Sequence, residues 1–248
     1  MAKIQRAYGW RPDKPDHRDL RLSLARPVKL PDTVDLRPRA MPVRDQASLG
    51  SCTGFCLRGL YGYQAKVQGQ AFEPSPLFGY YCERVLEGSV KIDAGAEIRD
   101  GMKAISKWGI CSEKAWPYVP AMFAKKPPAK AYSEALSHQS LVYKRVGRTM
   151  WELRACLATG FPITLGFTVY ESFESAAMER TGKGVLPKAG EAVLGGHAVL
   201  IVGYTPTDFI LQNSWGTRWG MKGFFTLPHS YVLDPNLSDD LWCLTKVE

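Results

Sequence analysis

Long apolar runs are missing from this 248-residue chain. The longest comparable one, Ala198–Val202, falls far short of the ~20 residues that a membrane helix needs. The opening "MAKIQRAYG" is basic, but no apolar core of signal-peptide length follows it. The expectation is a protein without membrane contact, cytoplasmic or exported by a route with no recognisable signal. Cys-x-x-Cys pairs are also absent. The four histidines never stand three to five residues apart, which leaves a zinc site without support. No cofactor is expected. There are no internal repeats or low-complexity tracts.

A basic stripe is missing from the body of the chain. The formal net charge is +8, which invites a nucleic-acid reading, but its distribution argues against one. Residues 1–30 hold eight Lys or Arg (Lys3, Arg6, Arg11, Lys14, Arg18, Arg21, Arg26, Lys29) against three Asp, and the rest holds 24 basic against 21 acidic groups. No basic helix face with interleaved aromatics appears, so no nucleic-acid partner is expected.

What is present divides into an arm and two halves. Residues 1–30 form a basic, proline-punctuated arm with little helical or strand periodicity. From Ser51 onward Phe55, Cys56, Leu60, Tyr63 and Val67 recur at three and four residues, the pattern of a helix packed on one face. Ser51 is a natural N-cap, which puts Cys52 in the first turn. A second helix is predicted over Ile98–Trp108, stopped by Gly109. The second half carries β-rich runs at 160–169, 197–204, 208–215 and 223–228, with a turn at 205–208. A helical lobe over 31–135 and a β lobe over 136–248, with a cleft between them, make the fold α+β. "AKKPPAK" (124–130) marks the change.

Cys52 is the residue on which function turns. A free cysteine is more often a small buried hydrophobe than a nucleophile, but a helix N-terminus favours the thiolate. Catalysis also needs a base, a group to orient it, and oxyanion donors. His17, His138 and His229 fall in polar or loop contexts and read as surface residues. His197 follows Gly195-Gly196 and opens an apolar strand. Asn213, at the end of the next strand, is placed to hold one ring nitrogen of His197 if the two strands pair. Trp215 would then cover that bond. Gln46, six residues before Cys52, is placed to converge with the Cys52 N–H on one oxyanion. Each fragment alone has a bland reading: a sheet-edge histidine, a strand end, a loop glutamine.

Together, "VRDQASLGSCTGF", "GGHAVLIVGY" and "NSWGTRWGMKGFF" resemble the signature blocks of papain-like cysteine peptidases, over about residues 31–248. His197 follows Cys52 by 145 residues and Asn213 follows it by 161, near the spacing of roughly 130–150 known for such enzymes. The resemblance implies a two-lobed fold with a helical left lobe and an antiparallel, barrel-like β right lobe. It implies an endopeptidase with Cys52 as nucleophile, His197 as base, Asn213 as its orienter and Gln46 as oxyanion donor. It also implies that Gly95 pairs with extended substrate backbone. Ile98, Gly166, Gly195, Gly196 and Trp215 would line the substrate cleft, with Asp239 or Asp240 near a side-chain pocket.

Two departures stand out. Leu49 and Asp93 occupy positions where the family usually carries a disulfide, so packing alone is expected to hold that segment. Thr53 replaces an aromatic residue. The resemblance implies a long pro-domain, whereas a short arm is expected here, with "YGWRPDKPDHRDL" near or across the cleft. If Cys52 is a free nucleophile, five other cysteines remain and cannot all pair, which favours a reducing compartment. A Cys-dependent acyltransferase or transpeptidase, and a non-enzymatic binding module on the same fold, stay open as alternatives. The expected partners are peptide or protein substrates, and a monomer suffices.

Overall fold

A computed structural model describes residues 6–24 and 29–248; Lys3 and Arg26 of the basic arm lie outside the described residues. In chain order, β1 (Trp10–Arg11) and β2 (Val34–Asp35) precede the helices α1 (Cys52–Val67) and α2 (Pro76–Glu87). Next come β3 (Ala96–Glu97), α3 (Ile98–Lys107), α4 (Ala129–Ala135), β4 (Ser140–Arg145) and α5 (Met150–Ala158). The remainder runs β5 (Ile163–Tyr170), α6 (Ala176–Thr181), β6 (Val193–Tyr204), β7 (Asp208–Gln212) and β8 (Phe224–Pro228). It ends with α7 (His229–Leu233), β9 (Ser238–Asp239) and β10 (Trp242–Val247).

Burial of α1 on nearly every side explains its position between the lobes. Residues 52–65 are all buried, because α2 packs on one face and β6 on the other. Gly54 makes the helix crossing possible: a Cβ there would lie 2.4 Å from the Pro76 carbonyl oxygen. α2 starts on a genuine cap, with the Ser75 hydroxyl accepting the Phe78 N–H. α1 does not. Ser51 occupies the N-cap position without a capping bond, and its hydroxyl instead bonds the Tyr118 hydroxyl at 2.6 Å. α3 ends at Lys107, and Gly109 follows with a φ of 73°, the left-handed stop that the sequence predicts.

The second half is dominated by a six-stranded antiparallel sheet in the order β8-β7-β6-β5-β9, with β2 added on β6. The predicted 205–208 turn closes β6 onto β7, Thr205 N–H donating to the Asp208 carbonyl. The registers Phe167↔His197 and Leu200↔Gln212 bring the start of β6 and the end of β7 to the same edge. The core has two parts. One gathers α1–α4 with Ala198, Leu200 and Val202 of β6, and the other fills the sheet with Phe167, Phe209, Leu211, Phe225 and Val232. β10 serves both: Trp242, Leu244 and Val247 pack with the helices and Cys243 with the sheet. The last strand therefore contributes to the helical core, across the division near residue 135 drawn from the sequence. All six cysteines are free thiols.

Candidate active site

Cys52 opens α1 at the seam between the two cores and is fully buried. Its sulfur is approached by the backbone N–H groups of Gly9, Thr53 and Ala198. Those donors favour a thiolate, but burial outweighs them and pushes the thiol up to about 11. With the sulfur buried, desolvation opposes the easy ionisation expected of a helix N-terminus. Water is excluded, and desolvation wins.

His197 sits near the start of β6, also fully buried. Its Nε2 bonds Asn213 Oδ1 at 2.8 Å, and the Nδ1 atom has no hydrogen-bond partner among the described residues. The same Asn213 oxygen accepts the Ser214 N–H at 2.8 Å, which fixes the amide orientation. Trp215 stacks on the imidazole with centroids 4.9 Å apart, covering the bond as expected from sequence. Burial holds the imidazole down at about 4. Burial thus disfavours the charged form of each of these two groups.

Gln46 is buried with both ends of its amide engaged. Its Oε1 accepts the Ser214 hydroxyl at 2.6 Å, and Nε2 donates to the Leu49 carbonyl at 2.9 Å. The longer Nε2 contact is to the Ala7 carbonyl of the arm, at 3.4 Å. An arm carbonyl thus lies where a donor from Gln46 is aimed.

The arm runs through the site. Arg6 lies over the Trp215 ring at 4.7 Å and pairs with Asp45. Tyr8 meets His197 and Trp215 edge-on and bonds Glu174. Gly9 passes between Gly50 and Gly95 so closely that a Cβ on Gly9 would lie 1.7 Å from the Gly50 oxygen. β1 pairs with β3 in parallel, and the Ala96 N–H donates to the Gly9 carbonyl at 2.7 Å. Farther along, Arg11 pairs with Glu87, Arg145 with Asp13 and Arg99 with Asp19. Backbone bonds between residues 20–22 and Arg145 complete the attachment.

The residues singled out for substrate meet this arm. The pairing N–H belongs to Ala96, one residue beyond Gly95, whose own N–H is taken by the Tyr80 hydroxyl at 3.1 Å. Gly95 itself is required for close approach, since a Cβ there would sit 2.1 Å from the Gly9 oxygen. Gly166 and Gly196 face Trp10, Gly195 faces Tyr8, and Ile98 joins the apolar cluster that holds the Trp10 indole. Asp240 lies behind that indole, fully buried, accepting the Trp10 Nε1–H at 2.8 Å.

The other histidines lie elsewhere. His17 is exposed on the arm, but His138 and His229 are not surface residues: both are half-buried, His138 stacked on Phe72 at 3.9 Å and His229 edge-on to Phe209. Packing alone does not hold the segment that lacks the disulfide. Asp93 accepts the Gly50 N–H at 2.9 Å and the Tyr80 hydroxyl at 2.5 Å, so a carboxylate ties the segment instead. Thr53 donates its hydroxyl to the buried Glu83 at 2.6 Å. The role of Glu83 was not legible, because a lone acid within a helix pattern carries no mark of its partner.

Comparison with known proteins agrees with this geometry. The family described as papain family cysteine protease matches residues 30–232. An uncharacterised peptidase C1-like protein of Acanthamoeba polyphaga mimivirus is 39% identical, over 99% of this chain and 89% of its own length. A cathepsin B-like protein of Giardia intestinalis is 30% identical over 81% of this chain and 70% of its own. Among solved structures, xylellain, a cysteine protease from Xylella fastidiosa, superposes with a TM-score of 0.90 at 36% identity, covering 100% of this chain and 99% of that one. With its helices, antiparallel sheets and cleft residues at the seam, this chain belongs to the papain family and is a cysteine protease.

Proposed function

We propose that the protein is an endopeptidase working through Cys52, His197, Asn213 and Gln46, and that residues 6–24 hold it closed until they leave the cleft. The observation that carries this reading is the arm itself. An extended stretch of backbone already occupies the groove, with one carbonyl on Gln46 and another on the Ala96 N–H.

With the arm displaced, water returns and the Cys52 thiol passes its proton to the free Nδ1 of His197. The thiolate attacks the scissile carbonyl carbon, forming a C–S bond while the oxygen takes negative charge. Gln46 Nε2 and the Cys52 N–H stabilise that oxygen. His197 then gives its proton to the leaving amine as the C–N bond breaks, leaving a thioester. Next it takes a proton from water, whose oxygen attacks the thioester and releases the acid and the thiol. Asn213 Oδ1 holds Nε2–H throughout and keeps Nδ1 aimed for proton transfer.

The pocket filled by Trp10 supports a substrate preference. Gly166 and Gly196 leave its mouth open, and the buried Asp240 forms its floor. A substrate side chain that carries a cation or an N–H donor satisfies that carboxyl, whereas leucine leaves it without a donor. Cleavage of a peptide library by the wild-type and Cys52→Ala proteins tests the whole reading. Activity lost with Cys52, and basic residues enriched at the position that fills this pocket, are the expected results. Cleavage by Cys52→Ala would remove the mechanism; equal use of Leu and Arg would remove the pocket assignment.

A further inference from the structure

Where the arm turns past Trp10, two carboxyl groups face each other out of water. Asp13 and Asp240 are both buried, and one guanidinium spans them, Arg145 reaching Asp13 with Nη2 and Asp240 with Nη1. Asp240 Oδ2 accepts the Trp10 indole N–H at 2.8 Å and the Asp13 backbone N–H at 2.9 Å. Asp13 Oδ2 accepts the Trp242 indole N–H and Arg145 Nη2, each at 2.9 Å, and its Oδ1 accepts the Arg99 backbone N–H at 3.0 Å. Asp240 Oδ1 is left with no hydrogen-bond donor among the described residues. Arg145 Nη1 stands 3.6 Å from it, an ion contact only.

The charges around the pair do not balance. Arg145 and Arg99 also serve Asp19, at 3.1 and 2.6 Å, so two guanidiniums face three carboxyls. Asp239 is occupied with Arg148 at 2.8 Å. Glu97, on β3, adds a further negative charge that interacts with Asp13. Lys14 contributes only its carbonyl, to Arg99, and His17 and Arg21 line the open hollow beside the cluster. One carboxyl is in surplus, and one carboxyl oxygen lacks a donor. A single proton on the Asp240 carboxyl removes the surplus charge and spares its unpaired oxygen the need for a donor.

We propose that the arm is a proton-dependent latch, in which a proton held on the Asp240 carboxyl clamps the arm in the cleft and its loss in alkaline medium frees it. This rests on the reading that the arm closes the active site.

The direction follows from linkage. Burial and the neighbouring Asp13 push the docked Asp240 up to about 8 from an ordinary 3.8. With the arm gone, Asp13 leaves with it and water reaches Asp240, which returns toward its ordinary value. Docking therefore takes up a proton between these two limits. It is tightest in acid, weakens by up to about tenfold per pH unit as pH rises, and levels off above about 8.

Asp240→Asn imitates the protonated acid. Its amide oxygen keeps the bonds from Trp10 and Asp13, and its –NH₂ supplies the missing donor. Asparagine also tolerates the φ of 59° at this position. The test is the rate of iodoacetamide alkylation at Cys52 in the full chain, mapped by mass spectrometry from pH 5 to 9. Taking the ratio of wild type to Asp240→Asn at each pH cancels the ionisation of the thiol. The expected ratio climbs about tenfold per unit and flattens above about pH 8. A constant ratio with slow alkylation in both proteins overturns the proton latch and leaves the closing arm standing. Fast alkylation in both at every pH overturns the closing arm as well. Hydrogen exchange at the Ala96 amide of the wild-type chain gives a readout that does not depend on the variant's folding. Its protection must fall with rising pH beyond the intrinsic increase in exchange, and unchanged protection also overturns the proposal.

Discussion

A methyl group on Gly166 would lie 1.9 Å from Cε2 of the Trp10 indole. The floor of the cleft and the arm are therefore fitted to each other, with no room for a side chain between them. Trp10 is the apolar anchor of the arm, buried at 8% exposure. Truncating a buried tryptophan costs roughly 3–5 kcal/mol, and here that cost falls on docking. Trp10→Ala is expected to raise the alkylation rate of Cys52 by at least about a hundredfold at pH 7. Gly166→Ala, which expels the indole from the other side, is expected to act in the same direction. Unchanged rates in both variants would mean that the arm does not guard Cys52.

Opening the cleft must also move the thiol. With the arm docked, burial pushes Cys52 up to about 11. In Trp10→Ala the sulfur regains water at a helix N-terminus. The midpoint of its alkylation against pH is expected to fall below 9. A midpoint that stays near 11 would show that the surrounding core, not the arm, suppresses ionisation.

Gln46 gives a separate test, of chemistry rather than access. Its Nε2 is oriented by two bonds that do not involve the substrate, from Ser214 to Oε1 and from Nε2 to Leu49. In the proposed mechanism Gln46 is the oxyanion donor, so Gln46→Ala is expected to lower kcat by about 10²–10³. Because that donor acts on charge developed in the transition state, KM is expected to change little. Peptide kinetics on arm-opened protein carrying Trp10→Ala would measure this free of docking, and an unchanged kcat would take Gln46 out of the mechanism.

The residues gathered around Cys52 were more legible than the contacts of the arm beside them. Cys52, His197, Asn213 and Gln46 are marked by local context, a helix start, a strand after two glycines, a strand end and a turn. The architecture follows from periodicity, since α1 and the runs of β5 to β8 show their packing faces in the sequence. The partners of Asp13, Glu83, Asp93 and Asp240 could not be read in the same way. Each acid matters through a partner far along the chain, 227 residues in the case of Asp13 and Asp240, and one carboxyl in a sequence looks like any other. The same limit explains Ser51. Its position as N-cap is local and was legible, but the loss of its hydroxyl to Tyr118, 67 residues away, was not.

Asp93 replaces a covalent tie with acceptors, and the replacement is measurable. Asp93→Ala leaves the Gly50 N–H and the Tyr80 hydroxyl without this acceptor, at a cost of about 1–3 kcal/mol for each group that stays buried and unpaired. The variant is expected to unfold at lower urea concentration with an unchanged m-value. Asp93→Asn, which keeps one acceptor oxygen, should lose less. Equal stability of all three proteins would return the segment to packing alone.

Glu83 makes the last prediction, one of stability against pH. It is buried completely, with one oxygen on Thr53 and the other without a partner among the described residues. Burial pushes it up to about 8 from an ordinary 4.5, against the opposing pull of the Thr53 hydroxyl. The folded chain thus holds a proton that the unfolded chain gives up. The stability this confers is whole below about pH 4.5, and is lost as pH climbs to about 8, at up to about 1.4 kcal/mol per unit. Glu83→Gln keeps the acceptor for Thr53 and cannot titrate. All other groups are common to both proteins, so the difference between their unfolding free energies isolates this one carboxyl. That difference is expected to shift steadily in favour of Glu83→Gln from pH 5 to 8 and then to stay flat. Parallel curves over the same range would mean that Glu83 is already ionised in the folded protein, stabilised by a donor other than Thr53.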